Sequence, residues 1–328
     1  MTRHSFSRRA AAVLAGIALA AMLPLQNATA QPGYPSKPVK FINSFPPGGP
    51  SDILARAVAD ILQNSFKQPF VVENKAGASG NIGADMAAKS PADGYTVLFG
   101  IDTTLTVNPH IYKSMPFKPA DLKPIMVMAS SGLLVGVNPG TGFKTLNDLV
   151  AAGKTRGVSF SSAGSGSPGH LAAEMFTEAT GVKINHIPYK GNTPAVTAVL
   201  AGEVDGGVLA TPGMLPHVKA GKITALAVTS QQRSSLAPEI PTVAEAGVKN
   251  LEQEVLYGAW VPAATPEPVV QALQRAFTEA LARPDMRARI ASLDLHYEGL
   301  TGAAAAKRIV DLSERYGRVI RSTGMKVE

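Results

Sequence analysis

The run Val39-Lys40-Phe41-Ile42-Asn43-Ser44-Phe45, then Pro46-Pro47-Gly48-Gly49-Pro50-Ser51-Asp52, then Ile53-Leu54-Ala55-Arg56-Ala57-Val58-Ala59-Asp60-Ile61-Leu62, sets the architecture of this chain. Val39 to Phe45 is short, apolar and compatible with a strand. After the turn, Ile53, Leu54, Ala57, Val58, Ile61 and Leu62 recur at helical spacing, which predicts an amphipathic helix. The same strand-loop-helix unit returns along the chain. Strands are expected at Phe70 to Glu73, Tyr95 to Phe99, Ile125 to Met128, Leu133 to Val137, Val158 to Ser161, Val182 to Ile187, Val204 to Leu209 and Thr224 to Val228. Helices fall near Ile82 to Ala88, from Thr145, and over Leu171 to Ala179, Pro194 to Leu200 and Met214 to Ala220. Alternation of this kind predicts parallel sheets with right-handed crossovers, hence doubly wound α/β layers. The chain then returns to a strand at Val255 to Val261 and ends in helices at Pro266 to Leu281, Met286 to Ser292 and Ala303 to Ser322. Such a return fits a first lobe completed by the end of the chain.

Length agrees, since 328 residues correspond to about two domains at roughly 150 residues each. Glycine and proline are frequent but follow no period, which excludes collagen and solenoid architectures. There is no cysteine, so disulfides, thiolate nucleophiles and cysteine metal sites are excluded. Three of the seven net positive charges come from Arg3, Arg8 and Arg9. The remainder is spread without a basic run or interleaved aromatics, and a nucleic-acid platform is not expected.

Residues 1–30 read as a secretory signal peptide: a basic head from Arg3 to Arg9, an apolar stretch from Ala10 to Leu23, and small residues at Ala28-Thr29-Ala30 before a cut at Gln31. Ala10 to Ala12 lack the bulky residues of a twin-arginine signal, so general secretion is expected. The mature chain has no apolar run of spanning length. A periplasmic location in a Gram-negative cell follows.

Two loops carry the functional signal. Phe45 to Asp52 joins a strand to a helix start, where glycines allow close approach, Pro50 suits the first turn, and Ser51 or Asp52 can cap free amides. Ser161 to His170 does the same with Ser162, Gly164, Ser165, Gly166, Ser167 and Gly169. The glycine spacing matches a dinucleotide fingerprint, but the next strand ends in His186-Ile187-Pro188-Tyr189-Lys190 without the ribose-binding acid, so no nucleotide cofactor is expected. What remains is a serine- and glycine-dense helix entry suited to a carboxylate. Ser165 and Ser167 lie near His170 in sequence, which leaves a serine hydrolase as an alternative, although no nucleophile elbow is present. The six histidines show no metal-ligand spacing. No metal is expected.

Several segments together resemble one family: Phe45-Pro46-Pro47-Gly48-Gly49 with Asp52 and Arg56, Glu73 through Gly83, Pro91-Ala92-Asp93-Gly94-Tyr95-Thr96-Val97-Leu98, Asn108-Pro109 with Tyr112, the Ser162 to Leu171 loop, Pro188-Tyr189-Lys190-Gly191, Gly221 to Ala227, and Pro241 to Gly247. The ordered set is similar to the Bug-type substrate-binding receptors of tripartite tricarboxylate transporters. Ala76 stands where that family usually has proline. The resemblance implies two doubly wound α/β lobes of periplasmic-binding-protein type with a ligand cleft between them, residues 31–131 plus 257–328 forming lobe 1 and 132–256 lobe 2. It implies no catalysis and no cofactor. Carried over as ligand-binding residues are Pro47, Gly48, Gly49, Ser51, Asp52, Asn81, Ser162, Ser165, Gly166, Ser167 and His170, with Thr103 and Asp205 as weaker candidates. Asp205 reads equally well as a structural residue at a strand end. Asp52, Asp102 or Asp205 would answer an ammonium group on the ligand. The expected partners are a small organic carboxylate, whether dicarboxylate, tricarboxylate, amino acid or aromatic acid, and membrane permease subunits or the ectodomain of a sensor histidine kinase. Hinges are expected near Ala129 to Gly132 and Glu254 to Gly258.

Overall fold

A computed structural model describes residues 33–326, and all that follows lies within the unit Pro35–Glu328. The expected signal peptide and its cleavage point lie outside the described residues. The first sheet is built from β1 (Val39–Asn43), β2 (Phe70–Asn74), β3 (Thr96–Ile101), β4 (Leu122–Ser131), β10 (Val255–Pro262) and β11 (His296–Thr301), in the order β11-β4-β10-β3-β1-β2. The second holds β5 (Leu133–Val137), β6 (Val158–Ser162), β7 (Ile184–Pro188), β8 (Gly206–Ala210) and β9 (Thr224–Val228), in the order β7-β6-β8-β5-β9. Each sheet and its helices form one α/β lobe.

The expected helices are present. In chain order they are α1 (Pro50–Phe66), α2 (Asn81–Ala88), the single turns α3 (Thr103–Thr106) and α4 (Asn108–Ile111), α5 (Leu146–Thr155), α6 (Pro168–Thr180), α7 (Asn192–Ala201), α8 (Thr211–Lys219), α9 (Glu267–Ala282), α10 (Pro284–Ser292) and α11 (Gly302–Thr323). α1 shows why the pattern was readable: Leu54, Ala55, Val58, Ala59 and Leu62 are buried along one stripe, as a 3.6-residue repeat against a sheet requires. Beneath it, Phe41 packs against Phe99 at 4.6 Å between ring centroids and against Phe277 of α9 at 6.0 Å. The second lobe has its own core, including Leu134, Val196, Val199, Leu209 and Met214.

The sheets depart from the expected parallel pattern. β1 is parallel to β2 and β3, and β6 to β7 and β8, but β10 is antiparallel to β3 and β4, β11 to β4, and β5 to both β8 and β9. The cause lies where the chain passes between lobes. β4 continues into β5 with only Gly132 between them, and β10 comes back beside β4. β4 carries the chain out of the first lobe and β10 brings it back along the same seam, so these two strands run in opposite directions.

The two passages are tied together. Thr229 Oγ1 accepts from the Leu133 amide at 2.8 Å and donates to the Gln253 carbonyl at 2.7 Å, while the Gln253 amide donates to the Thr229 carbonyl. A Cβ on Gly132 would stand 2.5 Å from Ser230 Oγ and 2.7 Å from the Ser230 amide nitrogen, so no side chain fits there. Val255, Leu256 and Tyr257 pair with Ser131, Ser130 and Ala129. That pairing covers most of the stretches expected as hinges and leaves Gly132 outside the strands.

Candidate functional site

The loops after β1, β2 and β3 share the carboxyl edge of the first sheet, and those after β6, β7 and β8 share that of the second, the edge where open α/β sheets bind ligands. In the first lobe α1 begins with Pro50, preceded by Pro46 and Pro47, which carry no amide hydrogen. The Gly48 amide is taken by Asp52 Oδ2 at 2.9 Å. Among the described residues the amides of Gly49, Ser51 and Asp52 and the Ser51 hydroxyl have no hydrogen-bond partner, although Ser51 is buried. These are the orphan donors of a helix start, an arrangement that favours an anion.

Asp52 holds this loop and does not face outward. Its Oδ1 accepts from Asn74 at 2.8 Å and lies 3.0 Å from Arg56 Nη2, while its Oδ2 accepts from Gly48 and from Arg56 Nε at 3.1 Å. Burial pushes its pKa up, but the Arg56 guanidinium, the Gly48 amide and Asn74 outweigh it and leave the carboxyl below its ordinary value. Both oxygens have protein partners, so the carboxylate organises the loop. Asp102, fully buried at the end of β3, accepts from the Leu256 amide at 2.8 Å and the Thr106 hydroxyl at 2.9 Å. It fastens the first sheet to the returning strand, and burial pushes its pKa up to about 6. Thr103 beside it is buried at the start of α3.

The segment between β2 and α2 is strained. Gly77, Ala78, Ser79 and Gly80 all have positive φ. The Ser79 carbonyl accepts from Thr104 Oγ1 at 3.1 Å and Asn108 Nδ2 at 3.0 Å, and Asn108 Nδ2 also reaches Asn81 Oδ1 at 2.8 Å. Tyr112 donates to Ser79 Oγ at 3.3 Å, and Ser79 Oγ donates to the Ser165 carbonyl at 3.3 Å. This last bond joins the two carboxyl edges.

In the second lobe, the turn from β6 to α6 is organised by two histidines. The rings of His170 and His186 stack with centroids 3.9 Å apart and planes within 6°. His170 Nδ1 accepts from the Gly166 amide at 3.1 Å, which puts its hydrogen on Nε2, facing Glu174 at 3.6 Å. His186 Nε2 lies 2.6 Å from Ser162 Oγ, which also accepts from the Gly164 amide and donates to the Gly164 carbonyl. Burial, with His170 adjacent, pushes the His186 pKa down to about 4, whereas His170 holds Glu174 below its ordinary value. Ser167 caps α6, accepting from the His170 amide at 3.3 Å.

Ser162, Gly166, Ser167 and His170 therefore shape the loop. The donors without a partner among the described residues are the amides of Ala163, Ser165 and Gly169 and the Ser165 hydroxyl. Gly169 is required for packing, because a Cβ there would run into the Val208 carbonyl oxygen. Neither Ser165 nor Ser167 offers its hydroxyl to an imidazole. Ser162 Oγ does lie against one, His186 Nε2, but its hydrogen goes to the Gly164 carbonyl, it is fully buried, its histidine is a weakened base, and no described carboxylate hydrogen-bonds that histidine. A nucleophilic triad needs all three roles.

Asp205 lies elsewhere. It precedes β8 at the level of Ser159, the amino end of the strands, and accepts from Arg156 Nη2 at 2.7 Å, the Ser159 amide at 2.8 Å and Ser159 Oγ at 3.1 Å. These are the bonds of a residue that fixes the start of a strand. Asp52, Asp102 and Asp205 each accept hydrogen bonds from protein donors. The sequence reading missed Ser79, Thr104, His186 and Glu174 as participants. The positive φ at a non-glycine residue and the stack of rings 16 positions apart leave no trace in periodicity.

Two α/β lobes, linked by two passages and offering unpaired donors on facing edges, define the class of two-lobed solute-binding proteins. Within it, the chain belongs to the tripartite tricarboxylate transporter receptor family, whose model matches residues 54–325. It is 36% identical over 304 residues to protein BugT of Bordetella pertussis, covering 90% of this chain and 92% of BugT. Among solved structures it is similar to R. palustris Rpa4515 with adipate, with a TM-score of 0.82, 30% identity, and 89% of this chain and 99% of the other covered. The periplasmic binding protein BugD gives a TM-score of 0.79 at 30% identity, with 90% and 100% covered.

Proposed function

We propose that this chain is an extracytoplasmic receptor that closes on a small organic carboxylate and delivers it to a tripartite tricarboxylate-type permease. The observation that carries this reading is the pair of helix starts, α1 and α6, one in each lobe, whose amides and hydroxyls at Gly49, Ser51, Ser165 and Gly169 are unspent while the acids nearby are committed to protein partners. A carboxylate would complete these donors without a buried countercharge. The adipate in the R. palustris relative supports a dicarboxylate. In this reading residues 31–131 plus 257–328 form the first lobe and 132–256 the second, supported by the sheet in which each strand lies except for Val255 and Leu256, which begin β10 of the first sheet. Residues 1–30 direct export to the periplasm and are removed. Intact-mass measurement of periplasmic protein is expected to give a chain starting at Gln31.

Calorimetry against dicarboxylates of four to eight carbons tests the ligand class. Stoichiometric binding of at least one, with NAD silent, is expected. Removing a hydroxyl that donates to a charged carboxylate costs about 1.5 to 3 kcal/mol, roughly ten- to a hundred-and-fifty-fold in affinity. Ser51→Ala and Ser165→Ala should each show a loss in that range. Unchanged affinity in both would remove the two helix starts from the site.

A further inference from the structure

We infer that Ser79 is a latch across the cleft, a positioning residue that biases the two lobes towards the closed arrangement through protein atoms alone. The inference rests on the reading of the chain as a closing receptor. Ala78 and Ser79, at φ 48° and 53°, sit in the left-handed region between two glycines that also have positive φ. L side chains reach that region only when the surroundings enforce it. Here they do, since Thr104 and Asn108 both grip the Ser79 carbonyl.

What the enforced backbone achieves is the aim of one hydroxyl. Tyr112 donates to Ser79 Oγ, and the Ser79 hydrogen goes to the Ser165 carbonyl of the other lobe. Donation by Tyr112 polarises the Ser79 hydroxyl and strengthens its own bond onward. The receiving peptide is held from the other side as well, because the amide of the same Ser165-Gly166 peptide is bound by His170 Nδ1. One peptide plane in the α6 entry is thus fixed by Ser79 from the first lobe and by His170 from the second. The Ser79 bond exists only when the lobes meet, and only such a differential contact shifts the population.

The absence of cysteine allows a direct test. Lys89→Cys and Lys190→Cys, on exposed positions of the two lobes, accept spin labels for distance measurement by pulsed electron resonance on the full mature chain. In the ligand-free protein, Ser79→Ala is expected to move the distribution to longer distances. Ser79→Gly, which suits the positive φ and protects the fold, should do the same, with an unchanged melting temperature. With adipate as probe, release should quicken about two- to tenfold while association stays constant, the range of a net hydrogen bond. Tyr112→Phe should give a smaller shift in the same direction. Unchanged distances in both Ser79 variants would overturn the latch whatever adipate does. Shifted distances without binding of adipate or any other dicarboxylate would support the latch and overturn the ligand reading instead.

Discussion

Asp102 and His186 are both buried against their charged forms, and their effects on stability oppose one another. The Asp102 carboxyl titrates near 6 in the folded chain and near its ordinary value when unfolded. Between about pH 4 and 6 the folded state holds the extra proton, so this contribution falls as pH rises. His186 titrates near 4 when folded and near 6.5 when unfolded. There the unfolded state holds the extra proton, and stability rises with pH over the same window. Asp102→Asn removes only the falling contribution, so its melting temperature is expected to climb more steeply from pH 4 to 6 than that of the parent. Parallel curves would show that Asp102 does not carry the burial assigned to it. Residue types and loop positions could be read from sequence, whereas commitments could not. Asp52 stands in the anion loop and turns to Arg56, four residues on, and Asp205 stands at the wrong end of its strand, because each carboxylate is claimed by a donor that folding brings near.

Along the elements, α6 carries the second loop at its start and meets α11 at its end, where Ser322 donates to Glu178 at 2.7 Å. Its first turn lies flush on β8 at Gly169. Gly169→Ala should therefore lift the helix start off the sheet, costing about 1 to 3 kcal/mol and weakening carboxylate binding. Urea unfolding beside calorimetry would measure both, and full stability with full affinity would contradict the packing. Helices of this length were legible because their buried stripes repeat regularly, and α9 and α11 fall within two residues of expectation, while α1 runs three residues earlier and four later than its apolar stripe. β11 was not. Its six residues are each only half-buried, so no alternation or apolar run marks it. Strand direction escaped for a different reason: apolar patterning reports which faces are covered and is silent about which way a chain runs.

For the whole molecule, closure should bring a smaller radius of gyration when adipate saturates the protein, measured by small-angle scattering, since contacts made to both lobes favour the closed form. An unchanged radius with tight binding would place the ligand on one lobe. The pivot is expected at Gly132, where Ser230 leaves no room for a side chain. Gly132→Ala is expected to lower the melting temperature by several degrees and to alter the extent of closure seen by scattering. Retention of both would move the pivot elsewhere.

The position of β10 bears on how such a chain is made. It lies between β4 and β3 in its sheet, yet it is synthesised after the whole second lobe. Until residue 262 has been synthesised, the first sheet is two separate pieces with a bare seam between them. The second lobe, continuous in sequence, is able to mature first and act as the template that returns β10 to its slot. Exposed strand edges invite foreign pairing, so the nascent first lobe is the vulnerable part of this protein's biogenesis, and a chain truncated before Val255 should accumulate as aggregate with a folded second lobe.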